Sequence, residues 1–147
     1  MKRDEFLTTL GIGFTAVCTG CLYACGSKSD DPTPSGGGGG VINPPTTVNF
    51  TANLDTDLIN IGDSKAASGI VVVRLATGSN AASFTAVQQA CTHEGFSINY
   101  VKNQGQFVCP NHGSTFSNSG AVTTGPAVSS LQKYPIVING STLTVTT

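Results

Sequence analysis

The only two histidines of this chain lie within three positions of two of its five cysteines. They form two compact groups, Cys91-Thr92-His93 and Cys109-Pro110-Asn111-His112, with 15 residues between His93 and Cys109. Each group falls in a glycine-containing segment just after an expected strand. A fold for this sequence must therefore bring two loops together. Two thiolates and two imidazoles converging from paired loops suit either tetrahedral zinc or a mixed-ligand iron–sulfur centre. With both histidines in those groups, no Ser/His/Asp triad is available.

The patterning around the groups is that of strands. Val48, Phe50, Ala52 and Leu54 alternate with polar residues, the period of a half-buried strand. Ile70 to Leu75 is a short apolar run between Gly69 and Thr77-Gly78, which suits a more deeply buried one. Phe84 to Val87, Ile98 to Val101 and Gln106 to Cys109 follow, with a turn expected at Asn103-Gln104-Gly105. Ile136 to Ile138 and Thr142 to Val145 flank Asn139-Gly140, a strong hairpin signal. No segment holds a 3.6-residue apolar period long enough for a helix. The expected class is all-β and antiparallel.

Charge narrows the function. Seven Lys and Arg stand against eight Asp and Glu, a net of −1, with no basic run. No nucleic-acid partner is expected, because phosphate binding needs clustered cations. The glycines at 36–40 are not a phosphate loop, since no Lys-Ser/Thr follows them. Lys65, Arg74 and Lys102 stand alone and read as surface charges. Tyr100 and Tyr134 lie in strand patterns and read as packing residues. Glu94 reads as a solvated loop carboxylate beside His93.

Cys91-Thr92-His93-Glu94-Gly95 and Cys109-Pro110-Asn111-His112-Gly113-Ser114 together resemble the Rieske 2Fe–2S proteins. The resemblance runs from about Phe84 to the C-terminus and includes Gly125-Pro126-Ala127, similar to the family's proline loop. It implies an antiparallel β-sandwich with a cluster-binding subdomain of two loops. It also implies one 2Fe–2S cluster, with Cys91 and Cys109 on one iron and His93 and His112 on the other. Gly113, Ser114 and Pro126 would surround the cluster, Ser114 donating its hydroxyl to a bridging sulfide. A structural zinc site would use the same four ligands and is the alternative.

Three positions depart from the family pattern. Respiratory members carry a loop disulfide, whose positions are here Phe96 and Asn111, so that staple is absent. Phe116 stands where high-potential members place a Tyr that bonds a cysteine sulfur. Donors to cluster sulfurs favour the more negative reduced state, so losing one lowers the potential. An intermediate potential is expected, within about −150 to +300 mV and below the top of that range. The resemblance further implies that His93 and His112 lose protons more readily when the cluster is oxidised, so the potential should fall at alkaline pH.

Cys18, Cys21 and Cys25 belong to a separate leader. From Phe6 to Cys25 there is no charged residue, and the apolar stretch Leu7 to Val17 has signal-peptide length. Leu22-Tyr23-Ala24-Cys25 resembles a bacterial lipobox, making Cys25 the candidate for lipid attachment, with Cys21 a second candidate. A retained membrane anchor is the other reading of residues 1–25. Lys2 to Leu7 resembles an imperfect twin-arginine signal. Residues 26–45 are dominated by Ser, Asp, Pro and Gly and read as a flexible linker reaching roughly 25 Å, at about 5–6 Å times √n. The head is expected over 46–147.

The expected function is one-electron transfer by a membrane-tethered Rieske protein on the outer side of a bacterial cytoplasmic membrane. Its partners would be a redox donor and acceptor of a respiratory or other oxidoreductase system. The alternative is a subunit of a larger oxidoreductase or oxygenase. No third histidine exists for a 2-His-1-carboxylate iron, so the chain is not expected to be an oxygenase, or any enzyme, alone.

Overall fold

The computed structural model describes residues 40–147. Ten strands account for most of the regular structure, with one 3₁₀ turn at Ala81–Ser83. They are β1 (Asn49–Asn53), β2 (Ser64–Ala67), β3 (Ile70–Arg74), β4 (Phe84–Gln88) and β5 (Asn99–Val101), then β6 (Gln106–Val108), β7 (Thr115–Phe116), β8 (Val122–Thr124), β9 (Ile136–Asn139) and β10 (Thr142–Thr146). Every pairing is antiparallel, in three sheets ordered β1-β10-β9, β2-β3-β4 and β5-β6-β7-β8.

The central sheet explains the apolar run of β3. Ile70 and Val72 enter one core with Phe50, Ala52, Phe84, Ala86, Leu143 and Val145. Val71 and Val73, on the opposite face by the two-residue period, enter a second core with Val87, Ile98, Phe107 and Phe116. A strand covered on both sides cannot alternate apolar with polar, and β3 does not. The outer strands can. β10 buries Leu143 and Val145 while Thr142 and Thr146 stay exposed, and Phe50 faces Val145 across the β1–β10 ladder.

The C-terminal hairpin forms one residue later than its dipeptide implies. Asn139 pairs with Thr142, leaving Gly140 and Ser141 as the loop, with Gly140 at φ +61. The solitary cations are fastened rather than free. Arg74 donates to the carbonyls of Leu58, Ala76 and Gly78 and lies over the Phe84 ring at 5.2 Å. Lys65 pairs with Asp57 at 2.7 Å and Lys102 with Asp63 at 3.3 Å. Arg74 and Lys65 tie loops to strands, and Lys102 ties the turn after β5 to the loop before β2. Tyr134 is buried and Tyr100 half-buried, in line with packing roles.

Val41 and Ile42, inside the stretch that composition assigns to linker, pair with the loop that follows β4. The leader, Cys18, Cys21, Cys25 and residues 26–39 lie outside the described residues. Among the described residues, no helix is long and apolar enough to cross a membrane.

Candidate metal centre

Two loops of the same hydrogen-bonding pattern bring the four expected ligands together. In the loop after β4, the Cys91 N–H donates to the Phe96 carbonyl at 2.8 Å and the Gly95 N–H to the Cys91 carbonyl at 2.8 Å. In the loop after β6, the Cys109 N–H donates to the Ser114 carbonyl at 2.8 Å and the Gly113 N–H to the Cys109 carbonyl at 3.0 Å. Each loop needs a residue of positive φ four positions after its cysteine. Glycine supplies it both times, at +75 for Gly95 and +76 for Gly113.

The thiols face inward and the imidazoles outward. Cys91 and Cys109 are 3% and 2% exposed and belong to the second core, with Phe107 and Phe116. Both are free thiols. Burial pushes the Cys91 thiol up, and the neighbouring Cys109 thiol adds to the rise, while the N–H groups of His93 and Glu94 oppose it. His93 and His112 are exposed, their Nδ1 atoms 3.2 Å apart and their rings edge-on at a centroid separation of 5.0 Å. Glu94 is more than a solvated carboxylate, since its Oε2 lies 3.4 Å from His112 Nδ1. One carboxylate oxygen of Glu94 and one ring nitrogen each of His93 and His112 all fall within 4.8 Å of one another.

The segment after β8 closes over both loops. Gly125–Pro126 is a cis peptide. The N–H of Ala127 donates to Ser114 Oγ at 3.0 Å, and Thr92 Oγ1 donates to the Ser129 carbonyl at 2.5 Å. Ser114 is fully buried. Its oxygen accepts the Ala127 bond, which leaves the hydroxyl proton for another acceptor. Gly113 and Pro126 lie at the exposed surface of this end.

At the positions of the missing staple, Asn111 Nδ2 reaches Glu94 Oε2 at 3.5 Å across the two loops. The Phe96 ring stands edge-on to His112 at 6.4 Å. Thr92, Asn111 and Phe96 thus hold the loops in ways that residue type did not disclose, because Thr, Asn and Phe are ordinary loop and core residues. Two inward sulfurs and two outward imidazoles form a donor set that fits a 2Fe–2S centre with cysteine on one iron and histidine on the other.

A family model for the Rieske [2Fe-2S] domain matches residues 50–135. The iron-sulfur subunit of the cytochrome b6-f complex of Trichodesmium erythraeum is 31% identical over 144 residues, 89% of this chain and 76% of that subunit. The corresponding subunit of Chlorobaculum thiosulfatiphilum is 34% identical over 61 residues, 42% of this chain and 34% of the relative, about a third of the relative's own length. A chain of a hyperthermophilic respiratory Complex III shares the fold, with a TM-score of 0.52 at 21% identity, covering 63% of this chain and 71% of that one.

Proposed function

The chain belongs to the Rieske [2Fe-2S] family, and from that premise we propose that Cys91 and Cys109 hold one iron of its cluster and His93 and His112 the other. The cofactor is a Rieske 2Fe–2S cluster, which supplies one-electron redox chemistry when bound. The protein is an electron carrier. The observation that carries the ligand assignment is the sorting of the four side chains, with both thiols buried and both imidazoles exposed.

The chain's own residues prepare that site. The thiols sit in an apolar core that excludes water, and the N–H groups of His93 and Glu94 point charge-stabilising dipoles at Cys91. With a cluster bound, the exposed imidazoles of His93 and His112 would offer the side at which a redox partner could approach it. Ser114 Oγ keeps the proline loop attached through the Ala127 N–H, and its hydroxyl proton would be free to donate to a bound cluster.

Residues 1–25 serve as a lipoprotein leader with Cys25 lipidated, and residues 26–39 as the tether, placing the head on the outer side of a bacterial membrane. The relatives that are subunits of cytochrome b6-f complexes support a membrane redox complex as the setting, with a protein donor and acceptor. Cys25→Ser should release the chain from the membrane fraction and abolish labelling by a radiolabelled fatty acid. Retention of Cys25→Ser in the membrane would favour an uncleaved anchor.

Purified head should be red-brown, contain iron and acid-labile sulfide in equal amounts, and undergo a one-electron reduction. A colourless protein holding stoichiometric zinc would overturn the reading. Changing Cys91 or Cys109 to Ser should abolish cluster uptake.

A further inference from the structure

Val41 and Ile42 are laid along the first cluster loop. Val41 forms an antiparallel bridge with Phe96, and the Ile42 N–H donates to the Gly95 carbonyl at 2.6 Å. The approach is possible because Gly95 has no side chain. A Cβ there would lie 2.7 Å from the Ile42 carbonyl oxygen and 2.9 Å from Val41 Cγ1. Farther along, Pro45 covers the turn between β2 and β3, where a Cβ on Gly69 would come within 3.1 Å of the proline ring. The Gly69 carbonyl in turn accepts from the Gln89 N–H at 2.8 Å, two residues before Cys91. Residues 41–45 therefore brace the chain on both sides of Cys91, through Gly69 and Gln89 before it and Gly95 and Phe96 after it.

We propose that residues 41–45 form a strap that positions the first cluster loop, with Val41 and Ile42 as its positioning residues. The head has no spare thiol to cross-link its loops, and main-chain pairing from the strap supplies that restraint instead. Phe96 passes it to the second loop through its edge-on contact with His112. This inference rests on the ligand assignment made above.

The test replaces residues 41–45 of the full chain with Gly-Ser-Gly-Ser-Gly and makes two measurements. In the metal-free protein, amide hydrogen exchange at Cys91 and Gly95 should quicken by about fivefold, as expected for losing one net hydrogen bond. In the loaded protein, loss of the visible bands to a chelator should quicken by a similar factor, with far-UV circular dichroism unchanged. Gly95→Ala separates strap from loop strain. It should accelerate cluster loss more with the native strap than with the replaced one. Should the five-residue replacement not fold, Val41→Gly carries the same expectation with a smaller effect. Unchanged exchange at Cys91 and Gly95 overturns the strap. Failure of the native chain to take up iron and sulfide overturns the ligand assignment instead, and leaves the exchange measurement on the metal-free chain to decide the strap.

Discussion

Ser114 has one proton left to give once its oxygen has accepted the Ala127 N–H. Ser114→Ala removes that donor and orphans a buried N–H, so the reduction potential should fall, and the head should lose about 1–3 kcal/mol. Voltammetry and chemical unfolding of one variant check both effects. Phe116 is the converse case. It is fully buried in the core that holds both cysteines, and Phe116→Tyr places a hydroxyl in that core, where the family resemblance implies a cysteine sulfur as its acceptor. The potential should rise, and an unchanged value would show that the hydroxyl finds no sulfur. At this scale the convergence of the two Cys and two His on paired loops was legible, because these residue types are scarce in the chain and clustered. Thr92, Asn111 and Phe96 were not legible, because their roles depend on which loop lies opposite.

The strands show why alternation is a partial guide. β1 and β10 have one covered face and alternate as expected, whereas β3 has two and reads as a continuous apolar run. β2 escaped sequence reasoning because an edge strand reading Ser-Lys-Ala-Ala buries little, and β7 and β8 because two or three residues carry no period. Arg74 looked solitary because its acceptors are backbone carbonyls. Phe107 lies on β6, fully buried and edge-on to Tyr100 at 5.1 Å, just before Cys109. Phe107→Ala should cost about 3–5 kcal/mol in unfolding free energy and loosen the second cluster loop with it. The loop that carries Asp57 and Asp63 should respond to acid. Lys65 beside Asp57, and the Asn60 N–H bonded to Asp63, hold these carboxyls below their ordinary 3.8. Their folded pKa values are depressed, so their contribution is present above about pH 4 and is lost as pH falls through the folded values. Both groups are only half-buried and open to solvent, so the effect is small. Asp57→Asn should flatten the acid limb of thermal stability measured between pH 5 and pH 2, and an unchanged limb would assign it to other carboxylates.

Across the head as a whole, two sheets enclose one core, and the other face of the central sheet encloses a second with the third sheet and the cluster loops. The cysteines are therefore built into the packing of the domain. The two cluster loops are held together here by the Asn111–Glu94 contact and the proline loop, with the proposed strap bracing the first of them. The all-β class, the hairpin and the paired loops could be anticipated from sequence. The strap could not, because its residues share the composition of a linker and only the pairing with Gly95 distinguishes them. If the tether lets the head travel between donor and acceptor, deleting glycines 36–39 should slow electron flux while leaving the potential unchanged. Pulsed EPR of the reduced protein decides whether two cysteines and two histidines share one cluster. A shared cluster should give a Rieske-type signal coupled to two inequivalent imidazole nitrogens, one of them lost in a His93→Cys variant that still binds iron. A reduced cluster without nitrogen coupling, or a purified protein with no EPR signal and bound zinc, would contradict it.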